Sequence, residues 1–394
     1  MKRRCFLSVL AIALVLLSAS SCRGLSKGDN ASSQVSSSGS STAEPVKQEN
    51  DSLETLNLSS NLKNLATVCS YGDRLYFVRN ISRNTCLYSS NADGSDVQKI
   101  RKAEDNSVLS EQNFIVDDWI YFYGDSTSIF REKLDGTGRQ ELQCTSDDDM
   151  LVDWNIMFDD DYIYYSMGVN LGDLGNLENM DPSSNKVGGE FWRMTKDGKD
   201  HQKIYDQKLI DYVVQDGWVY FCNYDDDYHL YKMKADGTEV TQLTDTPAFV
   251  VQAEGDWIYY ISTSSSEKQQ ILSRIKKDGT GQMDYSIDLP GLNIGYGSYN
   301  VSGNVIYFFD KSQNGSLYHM DADGSESEQL LAIDAIQEVA QREDYMISNL
   351  NILGDHIYFQ VGPSDGMGGT LTYHCTTDGE NFNMLEEEIY QQKE

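Results

Sequence analysis

Trp218-Val219-Tyr220-Phe221, followed by Leu230-Tyr231-Lys232-Met233-Lys234-Ala235-Asp236-Gly237, is the stretch on which the fold turns. Its first part, an apolar residue and two aromatics, recurs as Leu75-Tyr76-Phe77, Ile120-Tyr121-Phe122, Ile163-Tyr164-Tyr165, Ile258-Tyr259-Tyr260, Ile306-Tyr307-Phe308 and Ile357-Tyr358-Phe359. A turn pair stands before each triplet, as in Asp117-Asp118, Asp216-Gly217, Gly255-Asp256 and Gly303-Asn304. The second part ends in Asp-Gly, and that pair returns at 93–94, 135–136, 197–198, 278–279, 323–324 and 378–379. Six residues before each of these aspartates a short strand-like run begins, at Leu87, Ile129, Phe191, Leu230, Leu272, Leu317 and Thr372. One offset kept through seven copies marks a repeat, and a repeat is the first thing to settle about a fold.

Each copy reads as four short strands. Strand A precedes the turn pair, strand B is the aromatic triplet, strand C runs into Asp-Gly, and strand D follows. Asp-Gly supplies the positive φ that tight hairpins require, and β-branched and aromatic residues fill the runs as pleated strands prefer. Strand B is apolar on consecutive residues, so both of its faces are expected to be buried, as in a blade held between two neighbours. A period of about 45 residues is that of one four-stranded blade. The chain is therefore expected to be an all-β protein, a β-propeller of seven four-stranded blades, with six and eight as the neighbouring counts. Residues 53–60, with Leu53, Leu56 and Leu58, are read as a strand added to the last blade.

The N-terminal segment has a different character. Lys2, Arg3 and Arg4 precede an apolar stretch from Phe6 to Leu17, which is short for a bilayer span and long enough for a signal-peptide core. It ends in Ala19-Ser20-Ser21-Cys22. This resembles the lipobox of bacterial lipoproteins, although Ala19 stands where leucine is commoner. The resemblance implies a lipoprotein signal segment over 1–22 cleaved ahead of Cys22, a diacylglyceryl group on Cys22 and a membrane partner reached through it, on the extracytoplasmic face of a bacterial membrane. Residues 23–52 are Ser-rich and nearly devoid of large apolar side chains, the composition of a flexible spacer. Residues 53–394 form the propeller domain. The strand-B aromatics, Leu230-Tyr231-Lys232-Met233 and the Asp-Gly hairpin resemble the propellers of the low-density-lipoprotein-receptor type, with Tyr followed by Phe or Tyr in place of the Tyr-Trp-Thr-Asp of that family. They resemble still more a bacterial lipoprotein domain of unknown function with the same pattern. The resemblance covers 61–394 and bears on fold, because propellers host unrelated functions.

The charge narrows the partners. The chain of 394 residues has 31 Lys and Arg against 62 Asp and Glu, a net charge of −31. Loss of residues 1–22 removes three positive charges and no negative one, so the mature chain carries −34. Such a surface repels nucleic acid and anionic lipid and favours cations or basic partners.

Propeller geometry sorts the loops: A–B and C–D turns share one face, B–C and D–A connections the other. The first face is uniformly tight. Insertions crowd the second: Ser166 to Glu190, Pro290 to Tyr299, Ala332 to Asn349, where Ile333, Ile336, Val339 and Ala340 keep a helical period, and Gln360 to Gly369. Long loops on a rigid scaffold are where binding residues sit. The binding-face candidates are accordingly Asp173, Asp181, Asp225, Asp226, Asp227, Tyr296, Tyr299, Tyr345 and Asp365.

Three acidic triplets, Asp147-Asp148-Asp149, Asp159-Asp160-Asp161 and Asp225-Asp226-Asp227, raise the question of calcium, whose six to eight oxygen ligands such loops could supply. None has EF-hand spacing, and turn charge is the simpler account, so no cofactor is expected. Trp119, Trp218 and Trp257 repeat at one position before strand B, which argues packing between blades. His319 and His374 share the strand-C position of Arg131, Arg193 and Lys232 and are read as edge charges. No zinc-binding His pair, Gly-x-Ser-x-Gly elbow or phosphate-cradling loop is present. Cys69 and Cys86 fall on strands A and C of one blade, about 9.6 Å apart and too far for a disulfide, so buried thiols are expected. The expected function is a binding module, for another surface protein. The alternatives are a receptor for a glycan, cell-wall fragment or cation, which needs an open polar pocket at the channel, and a polysaccharide-cleaving enzyme with paired carboxylates there.

Overall fold

A computed structural model describes residues 59–385, apart from 82–83, 103–112, 124–126, 146–149, 153–154, 170–188, 264–269, 286, 288–296, 311–314, 341–344 and 364–369. The proposed signal, Cys22, the spacer, Leu53, Leu56 and Leu58 lie outside the described residues.

The described strands form seven antiparallel four-stranded meanders. Blade 1 is Cys69–Tyr71, Arg74–Ile81, Asn84–Ser90 and Gln98–Lys102; blade 2 is Asn113–Val116, Trp119–Tyr123, Ser128–Lys133 and Gln140–Gln143. Blade 3 has Met157–Phe158, Tyr162–Val169 and Gly189–Thr195, and Met150–Val152 also pairs with its strand B. Its strand D is the first part of Gln202–Gln215, whose second part is strand A of blade 4. Trp218–Asn223 and His229–Lys234 follow, and Thr241–Glu254 in turn serves as strand D of blade 4 and strand A of blade 5. Blade 5 closes with Trp257–Thr263, Gln270–Lys276 and Met283–Asp284. Blade 6 is Tyr299–Ser302, Val305–Asp310, Ser316–Asp321 and Glu328–Leu331; blade 7 is Tyr345–Leu353, His356–Pro363, Leu371–Thr376 and Asn383–Met384.

The aromatic triplets sit in strand B as expected and, apart from the half-buried Tyr76, are buried: Tyr164, Tyr165, Tyr259, Tyr260 and Tyr358 have no exposed surface. What joins the blades into one body, beyond the two strands that blades 3–5 share, is the contact between neighbours. Arg193 Nη1 donates to Ala235 O (2.8 Å) between blades 3 and 4, and Lys232 Nζ to Lys277 O (2.7 Å) between blades 4 and 5. Tyr285 O–H donates to Ala322 O (2.5 Å) between blades 5 and 6. The last blade meets the first in the same way, through Tyr358 O–H to Ala92 O (2.7 Å) and an apolar cluster in which Leu353, Tyr358 and Leu385 pack on Val68, Leu75, Phe77, Cys86 and Tyr88. Arg79 reaches across this seam to Thr372 Oγ1.

Two helices stand outside the pattern. α1, Ser59–Lys63, lies against the inner strands of blades 4, 5, 6 and 7. Ser59 and Ser60 were expected in a strand of the last blade; they open this helix, and that blade's four strands all come from 345–384. α2, Ile333–Ala340, fulfils the helical reading of the connection into blade 7, with Ile333 and Ile336 buried against Phe309, Leu317, Leu331 and Leu350.

Candidate functional site

The centre of a propeller is lined by its strands A, and here three of those strands are irregular. Their ladders slip between Leu209 and Asp211, between Phe249 and Gln252, and between Ser348 and Asn351. Val250 and Asn349 take φ values of +52° and +58° at two of these points. A bulge of this kind re-aims the side chains beside it. The residues re-aimed are Asp211, Gln252 and Asn351, all buried; Asp211 is bonded to Lys63 at the end of α1, and Gln252 and Asn351 to Asn64, the residue that follows it.

The bonds are specific. Lys63 forms an ion pair with Asp211, and Asp211 Oδ2 also accepts the Val251 N–H (3.0 Å), which ties α1 to blades 4 and 5 together. Asn61 pairs with the backbone of Ile352, donating to its carbonyl (2.5 Å) and accepting its N–H (2.8 Å), while Asn300 Nδ2 donates to Asn61 Oδ1 (2.8 Å). Asn64 Nδ2 donates to Tyr299 O (2.8 Å) and Leu350 O (2.6 Å), and Asn351 Nδ2 donates to Asn64 O (3.2 Å). The chain then reverses through Leu65 and Ala66, both left-handed at φ +66° and +39°, and enters strand A of blade 1. Two successive non-glycine residues in that region cost about 1–2 kcal/mol each, which the buried bonds around them offset. Among the described residues, these polar groups of the inner strands of blades 4–7 are thus bonded by the chain itself.

The insertion-bearing face is described only in part. Asp173, Asp181, Tyr296 and Asp365 lie outside the described residues, as does Asp147-Asp148-Asp149. Asp225, Asp226 and Asp227 are on this face, in the B–C turn of blade 4, where Asn223 caps a single 3-10 turn. Their carboxylates do not converge. Asp225 Oδ2 accepts the Lys208 N–H (2.9 Å), Asp226 Oδ2 accepts from Tyr231 O–H (2.6 Å) and faces His229 Nδ1 (3.1 Å), and Asp227 is exposed in the left-handed region. The Tyr231 hydroxyl, followed by His229, holds the Asp226 carboxyl below its ordinary range. Asp159-Asp160-Asp161 lies on the opposite face as a turn, with Asp159 Oδ1 accepting the N–H groups of Asp161 (2.9 Å) and Tyr162 (2.7 Å). Among the described residues no three His, Cys, Asp or Glu side chains come together as a metal site.

Tyr299 requires correction. The sequence makes it a binding-face candidate, but it is wholly buried at the start of strand A of blade 6, its hydroxyl donating to Val250 O. The loop reading failed because strand A begins at Tyr299 and points it inward. Tyr345 opens strand A of blade 7, opposite Pro363.

The strand-C cations are also more than edge charges. Arg131 lies 4.2 Å from the centre of the Trp119 ring, Lys232 5.1 Å from Trp218, Arg274 4.0 Å from Trp257 and Arg193 4.3 Å from Tyr162. Each of the three tryptophans, half-buried, thus lies under a cation of its own blade rather than one of a neighbour. Blade 7 departs from this: His356 and His374 face each other at 5.9 Å between ring centres, and His374 is wholly buried. Burial, reinforced by His356, lowers the His374 pKa, so its place in the list of edge charges does not hold. Cys69, Cys86, Cys144, Cys222 and Cys375 are all buried, and burial pushes the thiols of Cys69, Cys222 and Cys375 up to about 12. Off the channel, a lateral pocket of about 280 Å³ opens between blades 5 and 6, lined by Met283, Asp284, Tyr285, Phe308, Asp310 and Tyr318 among others.

No family model and no curated protein matches this chain. Solved structures do. The chain is similar to an oligogalacturonate lyase from Vibrio parahaemolyticus, with a TM-score of 0.58 and 13% identity over 77% of this chain and 86% of that one. It is similar to an oligogalacturonate lyase in complex with manganese at a TM-score of 0.56 and 14% identity, with the same coverage of 77% and 86%. It also matches TolB from Acinetobacter baumannii, at a TM-score of 0.40 and 14% identity over 67% of this chain and 65% of that one. At such identities the likeness is one of fold, and the fold is a β-propeller.

Proposed function

We propose that the chain is a binding module held by a lipidated Cys22 on the extracytoplasmic side of a bacterial membrane, and that its partner is another envelope protein of basic character. The partner is taken up by the insertion-bearing face. The observation that supports this reading is that Lys63, Asn61 and Asn64 are bonded to the inner strands of blades 4–7, so the reading assigns partner contact to loops at the rim. The net charge of −31 favours a basic partner and makes the encounter salt-dependent. The lipobox-like Ala19-Ser20-Ser21-Cys22 and the Ser-rich 23–52 support the tether.

The test is chemical crosslinking on intact cells, comparing the wild-type chain with one shortened across 170–188. One envelope protein captured by the first and lost from the second, with unchanged circular dichroism, is the expected result. Equal capture by both would remove the loop face from the reading. A second reading is favoured by the two lyase structures: a uronate-bearing oligosaccharide, with or without a divalent cation, bound elsewhere on the ring. A saturable rise in melting temperature with oligogalacturonate, Mn²⁺ or Ca²⁺ would move the assignment there. At a hundred times the dissociation constant such a ligand stabilises by about 2.7 kcal/mol, enough to read.

A further inference from the structure

α1 has a direction as well as a position. Strands A run from the insertion-bearing face to the tight A–B turns, so distance from the turn measures depth in the channel. Asn61 is bonded to Ile352, which pairs with Ile357 on the second rung above the turn pair Gly354-Asp355, and to Asn300. Asn64 is bonded to Leu350 O and Tyr299 O, each one or more residues further from its turn. Lys63 meets Asp211 and Tyr212 O, also in the upper part of strand A of blade 4. The helix therefore climbs away from the tight turns, and the left-handed pair Leu65-Ala66 sends the chain back down in Cys69–Tyr71. Helix and first strand are antiparallel, as a short reversal between two elements in one channel demands.

From this we infer that the polypeptide enters the ring through the face of the A–B turns and C–D hairpins, so that the insertion-bearing face is turned away from the N-terminal anchor. Asn61, Lys63 and Asn64 bolt the incoming chain into the channel from below. On this reading a load on the N-terminal side of α1 is met by the Lys63–Asp211 pair and the three carboxamides of Gln252, Asn300 and Asn351. Anchoring and partner capture are thereby assigned to opposite ends of one axis. The membrane sense of this orientation rests on the anchor proposed at Cys22; the direction of entry does not.

Two probe positions bracket a single strand of the ring. Asp245 lies on the D-to-A crossing of Thr241–Glu254, near Pro247, which pairs with His229 at the insertion face, and Asp256 is in the following A–B turn; both are exposed. The full-length chain is made with Cys5→Ser, Cys22→Ser and Glu54→Cys, and with either Asp245→Cys or Asp256→Cys. The five remaining native thiols are buried and take no label. Nitroxides on each pair are measured by double electron–electron resonance. Entry through the tight-turn face gives a mean 54–256 distance shorter than the 54–245 distance. Equal distances, or the reverse order, overturn the inference. The anchor is scored separately, by partition of the wild-type chain into the detergent phase. A chain that stays in water removes the anchor and leaves the direction of entry standing, and the label distances decide that direction alone.

Discussion

At the scale of single residues the channel is the place where substitutions speak most clearly. Lys63 and Asp211 are an ion pair with side-chain exposures of 0% and 4%. Removing one partner leaves a charge in a site without water, which costs about 3–5 kcal/mol. Lys63→Ala is expected to lose that much in urea unfolding. Lys63→Met combined with Asp211→Asn removes both charges while keeping an acceptor for the Val251 N–H, and it is expected to recover most of the loss. A double variant as unstable as the single one would show that the pair acts through packing alone. His374 offers a second readout, at the seam between the last and first blades. It is packed among His356 and Tyr358 of strand B, Asn383 of strand D and Asp93 of blade 1, with Asp355 in the adjoining turn. Burial, then His356, depresses its pKa, so below the ordinary value of about 6.5 the unfolded chain binds a proton that the folded chain resists. Stability from this group is therefore complete above that value and falls with pH beneath it. His374→Gln is expected to flatten the melting temperature between pH 7 and 5; an unchanged slope would place the effect elsewhere.

At the scale of elements the Asp-Gly hairpins explain both what the sequence disclosed and what it hid. The glycine of each hairpin has a positive φ, and each leans on the outer strand region of the preceding blade: Gly237 on Ile204, Gly279 on Leu243, Gly94 on Leu385. The clearances differ. A Cβ on Gly237 would stand 2.3 Å from Ile204 O, a backbone atom, whereas on Gly279 the nearest atom is Leu243 Cδ2 at 3.5 Å. Gly279→Ala is expected to cost about 1–2 kcal/mol, the left-handed penalty alone, and Gly237→Ala about 1–3 kcal/mol more for the clash. Equal losses in paired unfolding curves would mean that blade contact at the hairpin is soft. Repetition is what made these elements legible, because seven copies of triplet, turn and Asp-Gly announce a meander wherever one copy is ambiguous. α1 had no such support. Five residues give no helical period, and Asn61, Lys63 and Asn64 look like surface residues until three bulged strands bring Asp211, Gln252 and Asn351 to meet them. Tyr299 failed for a related reason: the whole connection from Pro290 to Tyr299 reads as loop, with no turn signal to mark where the strand that buries Tyr299 begins. The His356–His374 pair was hidden by analogy, because the same position elsewhere holds Arg or Lys on an aromatic ring.

At the scale of the whole molecule the same seven hairpins set the response to acid. In each, the aspartate carboxylate accepts a hydroxyl two residues away, from Ser95, Thr137, Thr195, Thr238, Thr280, Ser325 and Thr376. These bonds hold Asp93, Asp135, Asp236, Asp278, Asp323 and Asp378 below the usual carboxylate range, and Lys199 together with Thr195 takes Asp197 to about 2. A carboxyl whose folded pKa lies below its unfolded one stabilises the fold above the unfolded value, and that contribution is lost as pH falls through the folded value. The window therefore runs from about pH 4 downward. A second effect has the opposite sign. The net charge of −31 repels itself, and its early neutralisation relieves the ring as pH first falls. The melting temperature is expected to depend weakly on pH near neutrality and to drop steeply below about pH 4. Salt separates the two, because about 0.5 M screens exposed charges at long range and leaves a bonded carboxylate nearly untouched. The steep limb should survive in salt, and it should become shallower in a variant carrying Thr137→Ala, Thr238→Ala, Thr280→Ala and Ser325→Ala. If salt abolishes the limb, or the four substitutions leave its slope unchanged, acid unfolding of this ring is governed by overall charge and the hairpins are passive turns.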